Sequence, residues 1–226
     1  MKKLIITFAV LIAVVFTSNA QVFVGGGLGV DYMGGKYSYG GTSVDLPTGF
    51  AFNLTPKVGF YLNDDLAIGL EVGFLNGTLK EKGSGSSSQD EKFSLTGWGV
   101  GAFGRYRLVG EEKFSLLLEG SLGVSGAKTK ETYGSTTRNG DPTTTISVGV
   151  LPVLSYSLTN RLNIEASCDF LRFGFDSYTT KSASNKDNKT TVNTFGFGVN
   201  STTSSIDDDG DMYFSDYLRV GILFKF

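Results

Sequence analysis

The residues that could do chemistry in this chain are few, and their spacing serves chemistry poorly. The 226 residues include no histidine and one cysteine, Cys168. Without histidine, neither a Ser–His nor a Cys–His pair can be assembled. Cys168 has no partner for a disulfide within the chain, and it falls on the apolar face of its segment, where a thiolate is disfavoured. The run GVGAFG at 99–104 has the G-x-G-x-x-G spacing of a dinucleotide site. That motif needs a helix after it, whereas Arg105, Tyr106, Arg107 and Leu108 continue a strict alternation. These glycines therefore read as spacers. DDDGD at 207–211 offers Asp207, Asp209 and Asp211 as weak candidates for a divalent metal. It lacks the twelve-residue spacing and closing glutamate of an EF-hand and reads best as a solvated loop tip. Glu71 and Glu119 could serve as an acid–base pair, but they read better as partners of basic residues. No enzyme and no cofactor is expected.

The remaining charges are isolated and of both signs. Lys57, Arg105, Arg107 and Arg219 face Glu71, Glu119, Glu165 and Asp169 in type, and all lie on the polar side of alternating segments. Eight such segments recur, at 22–32, 50–62, 66–79, 93–109, 114–130, 144–158, 161–178 and 212–226. In LAIGLEVGF, for example, Leu66, Ile68, Leu70, Val72 and Phe74 share one face, and Ala67, Gly69, Glu71 and Gly73 share the other. Period two over nine or more residues predicts long strands. Three connections are tight turns, at 63–65, 110–113 and 159–160. The others are long and polar, near 33–49, 80–92, 131–143 and 179–211. Short and long connections in turn predict an up-and-down antiparallel sheet with one constrained end.

Alternation alone does not say which face is outside. Three features favour an apolar exterior. Every segment reaches the nine to eleven residues that cross a bilayer when tilted. The polar face is rich in glycine, which weakens a water-exposed strand but makes room inside a narrow barrel. Isolated charges of both signs can pair within a lumen. Aromatic residues near the segment ends, among them Tyr32, Tyr61, Phe74, Phe93, Trp98, Tyr106, Tyr156 and Tyr178, predict two interfacial girdles. Phe195 and Phe197, at period two within the fourth long connection, are candidates for contact with a ligand or for a strand extension.

The ends of the chain add specific marks. MKK, then LIITFAVLIAVVF, then TSNA reads as a secretory signal peptide over 1–20, leaving a domain at 21–226. At the other end, Arg219, Gly221, Phe224 and Phe226 resemble the C-terminal assembly signal of outer-membrane barrels, which the insertion machinery reads in that family. The whole mature chain resembles the small OmpA/OmpX-like outer-membrane β-barrel proteins. With the eighth segment as its last, it is expected to lack the periplasmic domain that full-length OmpA-type proteins carry. The resemblance implies an all-β, eight-stranded antiparallel up-and-down transmembrane β-barrel in the outer membrane of a Gram-negative bacterium. It also implies a monomer surrounded by lipid and lipopolysaccharide, acting in envelope integrity, adhesion or defence through its extracellular loops, with a host or surface ligand as partner. A narrow small-solute channel and a soluble, secreted lipocalin-like binding barrel are the alternatives. The near-neutral balance of 20 basic and 22 acidic residues gives no footprint for nucleic acid.

Overall fold

A computed structural model describes residues 21–39, 41–81, 90–111, 113–168, 171–182, 187–197 and 218–226. Among them, period-two sequence becomes strand throughout. The elements are β1 (Val22–Met33), β2 (Lys36–Tyr39), β3 (Thr42–Asp45), β4 (Thr48–Tyr61), β5 (Leu66–Glu81), β6 (Glu91–Gly110), β7 (Phe114–Tyr133), β8 (Thr136–Asn139), β9 (Thr143–Ser157), β10 (Leu162–Cys168), β11 (Phe173–Lys181), β12 (Lys189–Phe197) and β13 (Leu218–Lys225). The sheet closes on itself in the order β1, β4, β5, β6, β7, β9, β10, β13 and back to β1, every pair antiparallel. That is an eight-stranded up-and-down barrel. β11 and β12 continue the seventh and eighth positions upward, β11 against β9 and β12 against β11.

The closing seam accounts for the chain ending in a strand. Phe23 lies opposite Lys225, and the Phe226 amide donates to the Val22 carbonyl at 2.9 Å. The last residue is therefore held by the first strand. Partners traced from Val24 through β4, β5, β6 and β7 arrive at Val148. Traced the other way, through Phe224 and Leu162, they arrive at Leu158, ten residues further along. This stagger sets the tilt. With about 3.3 Å of rise per residue and about 4.8 Å between strands, it corresponds to roughly 40°. The outward run on β6 from Trp98 to Leu108 then covers roughly 25 Å of height, the thickness of a bilayer's apolar band.

The two faces are inverted relative to a soluble protein. Ile68, Leu70 and Ile222 point outward and are 38%, 46% and 59% exposed, while Arg105 and Glu119 lie inside at 5% and 3%. A lipocalin-like barrel would bury the first set and expose the second, so the soluble alternative does not hold. Trp98, the chain's one tryptophan, sits at the upper edge of the apolar belt, pointing out. In vesicles of brominated lipid its fluorescence should be quenched severalfold relative to ordinary lipid. Emission that stays red-shifted and unquenched would place Trp98 in water and contradict the inversion.

Two sequence expectations are corrected. The seventh segment is not one strand. β10 ends at Cys168 and β11 begins at Phe173, with the inward face on odd residues before the break and on even residues after it. Residues 169–170, and so Asp169, lie outside the described residues. The girdle also loses members. Tyr61 is packed inside against Phe23, with ring centroids 5.2 Å apart. Phe93 and Tyr178 share their strands' inward parity.

Among the described residues, parts of the long connections are strand. β2 and β3 form a hairpin within 33–49. β5 and β6 run up to Glu81 and Glu91. β7 turns through Gly134 (φ 55°) into β8.

Candidate functional site

The interior is built on one rung of the sheet. Phe23, Gly59, Gly69 and Phe103 are consecutive partners across β1, β4, β5 and β6. The two glycines form a floor, and the two phenyl rings lean over it with centroids 6.2 Å apart. A Cβ on Gly59 would run into the Phe23 ring, and one on Gly69 into the Phe103 ring and the Val58 carbonyl. With Ala67, Leu223 and Tyr61 these rings make a small greasy plug near the short-turn end.

An ion layer rests on this plug. Glu119 on β7 is its hub. One carboxylate oxygen accepts from Lys57 Nζ at 2.6 Å and the other from Arg105 Nε at 2.6 Å. Arg105 also donates to Glu165 at 2.9 Å, and Lys57 approaches Glu71 at 3.1 Å. The layer joins β4, β5, β6, β7 and β10 across the lumen. Its cations lie over the rings, Lys57 Nζ at 5.1 Å from the Phe103 centroid and the Arg105 guanidinium at 5.1 Å from Phe103 and 5.7 Å from Phe23. Each charge thus has an opposite partner or a π face, which buried charge requires. Beside the layer, against Gly25, Gly27, Thr55 and Gly221, is a void of about 40 Å³. That is room for a water or two.

A second ion pair sits higher up, on the wall formed by β9 and β11. Arg172 grips Asp176 with both terminal nitrogens, at 2.7 and 2.9 Å, and also donates to the Val148 carbonyl at 3.3 Å. Its guanidinium lies where Gly149 and Gly174 leave room for it. Sequence reasoning missed this pair. Alternation continued from Leu162 puts both charges on the lipid side, where they would be costly. That conflict was the available sign that the strand's parity flips.

The structure gathers five of the expected lumen charges, Lys57, Glu71, Arg105, Glu119 and Glu165, into one layer. Arg107 is not in it, and its buried Nε has no acceptor among the described residues. Arg219 is described by its backbone, opposite Ser167, on the parity of Gly221. Gly221 lies between Gly27 and Glu165 at the seam, and Phe224 and Phe226 point outward with rings 5.0 Å apart. Phe195 and Phe197 are outward rungs of β12, paired with Phe175 and Phe173 and level with the belt residues Val148 and Val150. Asp207, Asp209 and Asp211 lie outside the described residues.

At the open end, the β2–β3 hairpin and the tops of β5, β6 and β7 frame a mouth of about 1300 Å³, with Tyr32, Lys36, Thr48, Glu81, Glu91 and Thr132 among its walls. The phenol of Tyr133 at this rim is pushed above its ordinary value, first by Glu131, then by desolvation and Glu91.

Closure, strand number and the polarity of the faces define the class: an eight-stranded antiparallel barrel of outer-membrane type with a plugged lumen, the architecture of the small OmpA/OmpX-like barrels. No family profile matches the chain, and no curated protein matches its sequence. Among solved structures it is similar to Ail, the attachment invasion locus protein of Yersinia pestis, at 16% identity over 92% of this chain and 96% of that one, with a TM-score of 0.36. It is similar to Neisserial surface protein A at 17% identity over 92% and 98%, with a TM-score of 0.37. A major outer membrane protein from Thermus thermophilus aligns at 14% identity over 92% and 100%, with a TM-score of 0.43.

Proposed function

We propose that residues 1–20 direct export and that the barrel resides in the outer membrane of a Gram-negative cell as a sealed, non-enzymatic anchor. Its working parts are the long strands and loops at the open end, which meet surface ligands in adhesion, defence or envelope maintenance. The observation that carries this reading is the ion layer. Glu119 ties Lys57 to Arg105, and Arg105 ties on Glu165, across a lumen already narrowed by Phe23 and Phe103. A barrel closed in this way does its work at its rim rather than through its centre. The channel alternative is tested directly. In planar bilayers the purified protein should show no unitary conductance above background. Reproducible steps, lost when the protein is boiled, would establish a channel instead.

A further inference from the structure

Below the ion layer, toward the short-turn end, the described lumen residues form a layer with two cations and no acid. Arg107 is one inward step beyond Arg105 on β6, and Lys225 is one beyond Leu223 on β13, on the opposite wall. At the barrel's tilt both stand within about 3 Å of one height, together with Tyr61 and Asn163. Lys225 Nζ lies 5.5 Å from the Tyr61 ring centroid, and the Arg107 charge reaches them both. Among the described residues neither cation forms an ion pair. The carboxylate within reach of Lys225 is Glu165, which Arg105 already holds at 2.9 Å. The turn acids Asp64, Asp65 and Glu111 are exposed at the rim and pair with neither.

The local backbone is built around Arg107. β6 and β7 stay in register down to Arg107 opposite Leu117, slip by one residue, and resume at Val109 opposite Leu116. The slip leaves Leu108 and Val109 both outward, 48% and 59% exposed. A bulge of this kind re-aims a side chain. Here it makes Arg107 the last inward side chain of β6, its methylenes lying where a Cβ on Gly110 would be. Arg107 Nε is nevertheless buried without an acceptor. Across the lumen, buried Asn163 gives one end of its amide to Ser155 at 3.2 Å, and the other end has no partner. By a half turn that end presents an N–H as readily as an oxygen.

Water can satisfy a hydrogen bond, but it does not neutralise two cations facing each other across a narrow lumen. The ion layer shows that this chain matches its lumen cations wherever an acid is at hand. An anion completing the lower layer enters from the short-turn end, because the plug and the ion layer lie above it. It comes from water, since lipid is on the far side of the wall. Its shape follows from the donors. A carboxylate is saturated by the fork of one arginine, whereas a tetrahedral oxyanion has oxygens for both walls.

We propose that Arg107 and Lys225 clasp a phosphate group between them, with the Asn163 amide as a neutral donor. This goes beyond the rim function proposed above and needs only the closed barrel.

The test follows the Arg107 Nε–Hε resonance of the full mature chain, folded in maltoside micelles and assigned by its loss in Arg107→Lys. Inorganic phosphate should move it saturably, and chloride at equal ionic strength should not. Lys225→Gln should weaken phosphate binding by about tenfold or more, the worth of one charge-assisted hydrogen bond. Lys113→Gln removes an exposed turn cation and should leave binding unchanged. Heat-modifiable migration reports whether each variant is a closed barrel. Glycerol phosphate separates two sources of the same chemistry. Binding as tight as that of inorganic phosphate means the site takes a phosphate carried by a larger molecule, and binding of inorganic phosphate alone means it takes the free ion. A shift linear in every salt overturns the site and leaves the barrel standing. So does an unchanged phosphate midpoint in folded Lys225→Gln, or acetate binding as tightly as phosphate. A wild type that never gains a heat-modifiable form sinks the barrel itself.

Discussion

Glu119→Ala should destabilise the barrel by about 3–5 kcal/mol, because it leaves Lys57 and Arg105 buried with their shared counter-charge removed. The readout is the urea midpoint for loss of the fast-migrating band on an unheated denaturing gel. Glu71→Ala is the control. Glu71 is more exposed and has one contact in the layer, at 3.1 Å, so its loss should cost about 1 kcal/mol or less. A combined Arg105→Met and Glu119→Leu replacement should recover much of the loss, since apolar residues of similar volume replace a buried pair at little cost. Equal effects at Glu71 and Glu119 would mean that the layer has no hub and that its charges act as a diffuse field.

The second large effect concerns a residue with no side chain. Gly69→Leu should cost about 3 kcal/mol or prevent closure altogether, because its Cβ meets the Phe103 ring and the Val58 carbonyl. A ring can swing away, but a backbone carbonyl in a ladder cannot. Phe103→Ala should therefore rescue Gly69→Leu only in part. Gly73→Ala is the matched control on the same strand and face. The nearest atoms to its added Cβ are 3.8 Å away, so it should fold with an unchanged midpoint. If Gly69→Leu behaved like Gly73→Ala, the glycine floor beneath the phenyl rings would be wrong.

These two effects differ in how far the sequence foretold them. The role of Glu119 was half visible: its parity, opposite Leu118 and Leu122, placed it in the lumen with Lys57, Arg105 and Glu165. Its centrality was not visible, because which lumen charges meet depends on the stagger of the closed sheet. Arg105 and Glu119 face each other directly in the β6–β7 hairpin, but only a shear of ten brings Lys57 of β4 and Glu165 of β10 to them across the lumen, and no local pattern encodes that number. Phe103 and Phe23 were harder still. Both interrupt glycine-rich inward faces, and a sequence gives no reason for a large ring to point into a narrow lumen until Gly59 and Gly69 are seen across the rung. Phe195 and Phe197 were legible as strand-like residues. Their level in the belt became apparent only once β12 was paired with β11.

By itself the sequence determined the strand number, the up-and-down order, the apolar exterior and the meeting of the last strand with the first. These follow from period-two alternation, turn length and the exclusion of unpaired charge from hydrocarbon, all of which are local. Only the tertiary structure decided which charges touch, where the seventh strand changes parity, and that Lys80 and Lys92 stand side by side on the outer face. Those depend on register, and register is fixed by closing the whole ring at once.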